Sequence, residues 1–215
     1  MRLTILDDKL WFPPVENALP DGLLAAGGDL SADKLLLAYR NGIFPWYNED
    51  EPPLWWCPDP RFVLYPAGLR VSKSMRQVLR SGTFEFRMNT GFAQVIRHCM
   101  QVPRPGQDGT WISPDVAHAY TQLHRLGHAH CAEAWQDGQL VGGLYGVWLG
   151  KVFFGESMFS RVSNASKFAF INWVQHLQQH GVQLIDCQVH TAHLQSLGAR
   201  MIPRKEFVEM VRQWV

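Results

Sequence analysis

A carboxylate inside an apolar run is the first sign of chemistry in this chain. Glu156 interrupts Val152-Phe153-Phe154-Gly155-Glu156-Ser157-Met158-Phe159, where a charge is costly unless a partner or a solvated cleft receives it. Two readings are open: an ion pair with Arg161, or a site for a cationic group of a substrate. A second polar pair stands in Leu184-Ile185-Asp186-Cys187-Gln188-Val189. Strand alternation puts Asp186 and Gln188 on one face and Ile185, Cys187 and Val189 on the other. An acid–amide pair on a core strand is unusual; its structural alternative is that Asp186 caps a short helix starting near Thr191. A third cluster is Gly109-Thr110-Trp111-Ile112, a turn that presents a Trp at a helix entrance. It reads either as a hydrophobic staple or, with Trp46, Trp55 and Trp56, as a stacking platform for a base. Lys73, Arg76 and Arg80 lie at i, i+3 and i+7 and therefore share one helix face. His124, His128, His130 and Cys131 match no zinc-ligand spacing, so no metal is expected. Cys187 sits on an apolar face and is not read as a nucleophile.

These side chains need elements to hold them. Ser31 caps a helix running to Arg40, and Gly42 follows its end. Prolines bracket the aromatic stretch from Ile43 to Pro60 and forbid a continuous helix there. Phe62 to Tyr65 is a short strand. Ser72 to Leu79, Phe92 to Cys99 and Ser113 to Leu126 are helices, the last with Pro114 at N1 and Gly127 at C′. His130 to Trp135, the turn Asp137-Gly138, and Leu140 to Trp148 form a hairpin of type I′ chemistry. Leu149-Gly150-Lys151 turns into Val152 to Phe159, completing a three-stranded antiparallel meander. A long helix from Asn164 to His180 follows, ended by Gly181. Val182 to Val189 is a strand, Ala199 to Ile202 another, and Pro203 opens a last helix through Trp214. The expectation is an α/β (α+β) chain with a small N-terminal domain, residues 1–61, and a larger C-terminal domain, residues 62–215.

Composition narrows the class. The 215 residues are 47% hydrophobic and 18% charged, enough for a full-sized core. No signal peptide and no membrane-spanning run is visible, and four scattered cysteines fit reduced thiols, so a cytosolic protein with no membrane partner is expected. Residues 1–60 carry ten acids against four bases, whereas residues 61–107 carry eight bases against Glu85 alone. A basic island of that kind is the footprint expected for a phosphate backbone, or else a solvated face.

Nine motifs in order resemble the bacterial leucyl/phenylalanyl-tRNA–protein transferase family. They are Gly-Gly-Asp-Leu at 27–30, Gly-Ile-Phe-Pro-Trp at 42–46, Trp-Trp-Cys-Pro-Asp-Pro-Arg at 55–61 and Gly-Thr-Trp-Ile at 109–112. Gly-His-Ala-His at 127–130, Gly-Glu-Ser-Met-Phe-Ser-Arg at 155–161, Asn-Ala-Ser-Lys at 164–167, Ile-Asp-Cys-Gln at 185–188 and Ser-Leu-Gly-Ala at 196–199 complete the set. The resemblance implies a catalytic domain with the N-acetyltransferase (GNAT-type) fold, a central, mostly antiparallel sheet flanked by helices. It implies transfer of Leu, Phe or Met from aminoacyl-tRNA to proteins that start with Arg or Lys, marking them for degradation, by a monomer without a cofactor. By the same resemblance Trp46 and Trp111 hold the terminal adenosine, and Lys73, Arg76 and Arg80 follow the acceptor stem. Leu144, Phe153, Gly155, Ser157, Phe170, Trp173 and Ile185 line the aminoacyl pocket. Trp173 stands where the family commonly has a phenylalanine and Phe170 where it has an aliphatic residue, so both add bulk there. Glu156 meets the basic residue of the acceptor, and Asp186 and Gln188 flank the attacking amine.

An aminoacyl ester is already activated, so the enzyme has only to bring a neutral amine to the carbonyl and stabilise the oxyanion. An amide is a poor base, which casts Gln188 as an aligner of the amine that Asp186 orients. On that expectation Asp186→Asn keeps much of the activity provided the geometry survives. A CoA-dependent acetyltransferase would want a Gly-rich phosphate loop, but Ser160-Arg161-Val162-Ser163-Asn164-Ala165-Ser166 has no glycine. A non-catalytic RNA-binding module explains the basic island but not Glu156, Asp186 and Gln188.

Overall fold

The computed structural model describes residues 3–102 and 112–215. Two sheets organise it. The smaller has four strands in the order β1-β2-β4-β3, made by β1 (Thr4–Leu6), β2 (Leu23–Gly27), β3 (Phe44–Pro45) and β4 (Leu54–Trp56). Helix α1 (Ala32–Arg40) lies between β2 and β3 in sequence, and Ser31 caps it by accepting from the Lys34 N–H. The larger sheet has seven strands in the order β11-β5-β10-β9-β8-β7-β6. Its members are β5 (Arg61–Leu64), β6 (Glu85–Met88), β7 (Ala129–Gln136), β8 (Gln139–Leu149), β9 (Val152–Ser160), β10 (Leu184–Gln188) and β11 (Arg200–Ile202). All its pairings are antiparallel except β9 with β10. Helices α2 (Lys73–Arg80), α3 (Phe92–Met100), α4 (Pro114–Arg125), α5 (Ala165–Gln179), α6 (Ala192–Ser196) and α7 (Arg204–Trp214) complete the fold.

Local chemistry sets most of these boundaries. Ser72 and Ser113 cap α2 and α4 by accepting from Met75 and Val116, and Pro114 occupies the first turn of α4. Asp137 and Gly138 both take positive φ, 49° and 73°, as a type I′ hairpin requires. The first sixty residues hold more sheet than their short periodic runs announce: β1 pairs in parallel with β2, from the far side of an intervening loop. The edge strand β6 was also not anticipated; its alternation lasts only four residues. One apolar cluster runs from Leu6 and Leu24 through Tyr39, Trp55, Tyr120 and Phe154 to Val211, so both sheets share a core.

Two bulges decide where polar side chains can emerge. Along β8/β9, Tyr145 pairs with Ser157 and Gly146 with Gly155, leaving Glu156 as the extra residue. Along β10/β5, Asp186 pairs with Val63 and Gln188 with Phe62, leaving Cys187 as the extra residue. The parallel β9/β10 pairing ends where Asp186 faces Phe154, so the bulges follow directly on the last paired residues. Bulged strands bend and re-aim side chains. Gly146 is required here, since a Cβ on it would lie 2.2 Å from the Phe154 carbonyl oxygen.

Candidate active site

The re-aimed residues meet in a buried polar cluster. Asp186 is fully buried and accepts two hydrogen bonds from the equally buried Arg61, Nε to Oδ1 at 2.8 Å and Nη2 to Oδ2 at 2.6 Å. The guanidinium lies 4.6 Å from the Phe44 ring centroid and 4.5 Å from that of Phe207. It therefore ties β3 and α7 to β5 and β10 of the large sheet, with stacking and charge together holding a fork geometry that lysine could not copy. Asp186 also accepts from the backbone N–H of Gln188 at 2.9 Å. That bond fixes Gln188 in the left-handed region, φ 61°. Asp186 and Gln188 do converge on one place, but through the bulge and this positive φ rather than through strand alternation.

Gln188 is held at its other end as well. Its Nε2 donates to Glu156 Oε1 at 2.9 Å, so its carbonyl oxygen points elsewhere, and no described residue donates to it. Glu156 further accepts from Tyr39 at 2.7 Å and from Tyr120 at 2.9 Å, and the two phenols contact each other. Burial pushes the Glu156 carboxyl up to about 7, although the bonds from Tyr39 and Tyr120 pull the other way. Neither structural alternative for these acids is realised. Arg161 contacts His98 Nδ1 instead of Glu156, and α6 is capped by Thr191 instead of Asp186. The geometry on which the Asp186→Asn expectation is conditional rests on this ion pair: an asparagine leaves Arg61 as a buried charge without its counter-ion.

The remaining candidates are placed as follows. Leu144, Phe153, Phe170, Trp173 and Ile185 are buried in one packed cluster, with Phe153 and Trp173 edge to face at 5.5 Å. The Trp173 indole N–H is buried there without a hydrogen-bond partner among the described residues. Gly155 and Ser157 flank the Glu156 bulge. Trp46 is 36% exposed and Trp56 packs against it at 5.7 Å, while Trp55 is fully buried and donates to the Gly27 carbonyl. Trp55 is thus a core residue and not part of a base platform. Trp111 lies outside the described residues. Lys73, Arg76 and Arg80 are exposed and line a groove of about 530 Å³. A larger cavity, about 730 Å³, shares no lining residue with the Glu156 cluster. His124 stacks on Phe92 and Cys131 donates its thiol to Glu133.

Three site residues escaped the sequence reading: Arg61, Tyr39 and Tyr120. Arg61 belongs by sequence to the basic island, yet its side chain is fully buried. The available signal was a polar tip on an apolar helix face, since Tyr120 stands four residues after Val116 and three before Leu123, both buried.

Known proteins match this chain over nearly its whole length. A profile described as Leucyl/phenylalanyl-tRNA protein transferase matches residues 63–212, and the N-terminal domain of the same description matches residues 28–59. The chain belongs to this family. Leucyl/phenylalanyl-tRNA–protein transferases from Syntrophobacter fumaroxidans and Aromatoleum aromaticum are relatives of it. The first is 57% identical, covering 97% of this chain and 89% of that protein; the second is 60% identical, covering 94% and 86%. Family membership makes the chain an enzyme, and the buried Arg61–Asp186–Gln188–Glu156 cluster is its candidate catalytic centre. Among solved structures, FemX shares the fold with a TM-score of 0.52 at 10% identity, covering 85% of this chain and 71% of that one. A GCN5-related N-acetyltransferase-like protein from Streptococcus suis aligns at 0.41 and 14% identity, over 76% and 61%.

Proposed function

We propose that this transferase moves Leu, Phe or Met from aminoacyl-tRNA to proteins that begin with Arg or Lys, marking them for degradation in the cytoplasm. In this reading residues 1–61 frame the site, contributing Tyr39 and Phe44, and residues 62–215 carry the chemistry. The protein acts as a monomer and needs no cofactor, because the ester already holds the transfer potential. The observation that carries the reading is the two-point hold on Gln188. With its backbone N–H on Asp186 and its amide N–H₂ on Glu156, its carbonyl oxygen is left free to accept from an incoming amine.

The acceptor's α-amino group attacks the ester carbonyl carbon, and the C–O bond to the ribose breaks. The proton lost by nitrogen ends on the departing ribose oxygen, so the products are a peptide bond and uncharged tRNA. An unperturbed α-amino group has a pKa of about 7.7–8.0, so a neutral fraction is present near neutrality. Gln188 contributes alignment, the effect that makes a bound amine reactive. Glu156 meets the basic side chain of the acceptor. Leu144, Phe153, Gly155, Ser157, Phe170, Trp173 and Ile185 receive the aminoacyl side chain. Trp46 and Trp111 stack on the adenosine, and the Lys73/Arg76/Arg80 face binds stem phosphates, which ties affinity to salt. No helix among the described residues is long and apolar enough to cross a membrane.

The test mixes the protein with phenylalanyl-tRNA and two peptides that differ only in starting with Arg or Ala. Label on the Arg peptide alone is expected. Transfer to neither removes the proposal, and equal transfer to both removes the basic-acceptor part of it.

A further inference from the structure

The contacts among Tyr39, Tyr120 and Glu156 do not balance in hydrogens if the carboxyl is ionised. Three oxygen pairs touch: Tyr39 with Glu156 Oε1, Tyr120 with Glu156 Oε2, and the two phenols with each other. Each pair needs one hydrogen, and a phenol brings only one. Burial, then the Glu156 charge, push both phenols well above the usual tyrosine range, so each keeps its proton. A carboxylate brings no hydrogen, and one contact would then set lone pair against lone pair in a buried position. A protonated carboxyl supplies the missing hydrogen. Glu156 Oε2–H donates to Tyr120, Tyr120 donates to Tyr39, and Tyr39 donates to Oε1, closing a ring. The carbonyl oxygen Oε1 still accepts from Gln188 Nε2. Every member of the ring donates and accepts, the arrangement in which hydrogen bonds reinforce one another.

The surrounding charges lead to the same state. Tyr39 faces Glu156 from α1 and Tyr120 from α4, with the Tyr145 ring of β8 edge-on to Tyr120 at 5.5 Å. Gln188 and Asp186 face it from β10 and Arg61 from β5. Arg61 is the cation among these, and Asp186 already neutralises it with both carboxylate oxygens. Among the described residues, Glu156 is left without a counter-charge.

We propose that Glu156 is a neutral, protonated carboxyl in the resting enzyme. By closing this ring, Tyr39 and Tyr120 act as positioning residues that hold Glu156 and, through it, the amide of Gln188. The titration that follows has a definite sign. The folded-state value of about 7 lies above the ordinary 4.5, so the ring stabilises fully below 4.5 and its contribution is lost as pH rises through about 7. A cationic side chain brought to Glu156 would release the same proton.

Infrared difference spectra of the full chain, wild type minus Glu156→Gln, test the protonation without any substrate. The expected result is a protonated-carboxyl carbonyl band on the acid side that bleaches as pH rises through about 7. A spectrum holding only carboxylate bands on the acid side overturns the proposal. Should Glu156→Gln fold poorly, wild type minus Tyr120→Phe replaces it: removal of the ring partner shifts the same band, and an unshifted spectrum overturns the proposal. The positioning part rests on reading Gln188 as the aligner of the amine. Tyr39→Phe and Tyr120→Phe are expected to lower kcat about five- to tenfold, the effect of one lost hydrogen bond, with KM for phenylalanyl-tRNA unchanged. A rise in KM with unchanged kcat would overturn that part. The band would stay, so failure of the kinetic reading and failure of the proton assignment are separable.

Discussion

Glu133 on β7 and Glu156 on β9 are buried carboxyls of one sheet, separated only by β8, and their surroundings drive them in opposite directions. Glu133 sits across from the entrance of α3. It accepts from the backbone N–H groups of Thr90 and Gly91 at 2.8 Å, from the Trp135 indole at 2.8 Å, and from the Thr90 hydroxyl and the Cys131 thiol. Burial alone would raise it, but these bonds outweigh burial and hold it below the usual glutamate range. It holds the N-cap residue, Gly91, of a helix that has no side-chain cap of its own, where a negative charge is favoured. Glu156 has three hydrogen-bond partners, of which two are phenols that also contact each other. Burial is therefore neutralised in three ways within this one sheet: Glu133 by a surplus of donors, Asp186 by a cation, and Glu156 by a proton. The carboxyl left with the weakest compensation is Glu156, which holds the side-chain amide of Gln188.

The largest effect tests the cation. Arg61→Met or Asp186→Leu leaves one buried charge unpaired and is expected to cost about 3–5 kcal/mol of stability. The double variant Arg61→Met/Asp186→Leu should recover much of that loss in urea unfolding while remaining inactive, since Gln188 loses its anchor. A double variant as unstable as the sum of the singles would show that Arg61 and Asp186 do not act as one energetic unit.

The second effect separates the two glutamates. Glu133→Gln is expected to cost about 2–3 kcal/mol near neutral pH, because a charged acceptor with bonded donors is replaced by an amide whose NH₂ faces one of them. Its folded value is lowered, so that stabilisation is present above the ordinary 4.5 and is lost as pH falls through the folded value. Glu156 has the reverse sign between 4.5 and about 7. The melting temperature of Glu133→Gln should thus approach that of wild type in acid. Glu156→Gln should gain on wild type as pH rises. Parallel pH profiles for the two variants would erase the distinction.

Chain-local physics explains which parts were legible beforehand. Ser31, Ser72, Ser113 with Pro114, and Asp137-Gly138 act within a few residues of themselves, so the helices and the hairpin could be read directly. Glu156, Asp186 and Gln188 were conspicuous because polar residues stood in apolar strands. What they touch was not legible. Arg61 reaches Asp186 across 125 residues, and Tyr39 reaches Glu156 across 117. The bulges that turn these side chains together exist only once β5, β8, β9 and β10 are paired. An exposed basic residue and a buried one look alike in a list of charges, which is how Arg61 was grouped with Lys73, Arg76 and Arg80.

The smallest effect counts donors one at a time. The Cys131 thiol, 3.2 Å from Glu133 Oε1, is the weakest of the groups bonded to that carboxylate. It keeps its proton, since burial and then the Glu133 charge push the thiol well above its ordinary range. Cys131→Ala removes that donor and a little packing, and is expected to cost about 1 kcal/mol in urea unfolding with the transferase activity of the folded protein unchanged. Cys131→Ser keeps a donor at the same place and should lose less than Cys131→Ala. The contrast with Tyr120→Phe sharpens the difference between the two glutamates. Each variant removes one hydrogen-bond partner from a buried glutamate, but Glu133 has others in hand and lies away from Gln188, whereas the ring around Glu156 opens. Equal loss of kcat in Cys131→Ala and Tyr120→Phe would mean that activity follows the stability of the sheet as a whole and not the position of one amide.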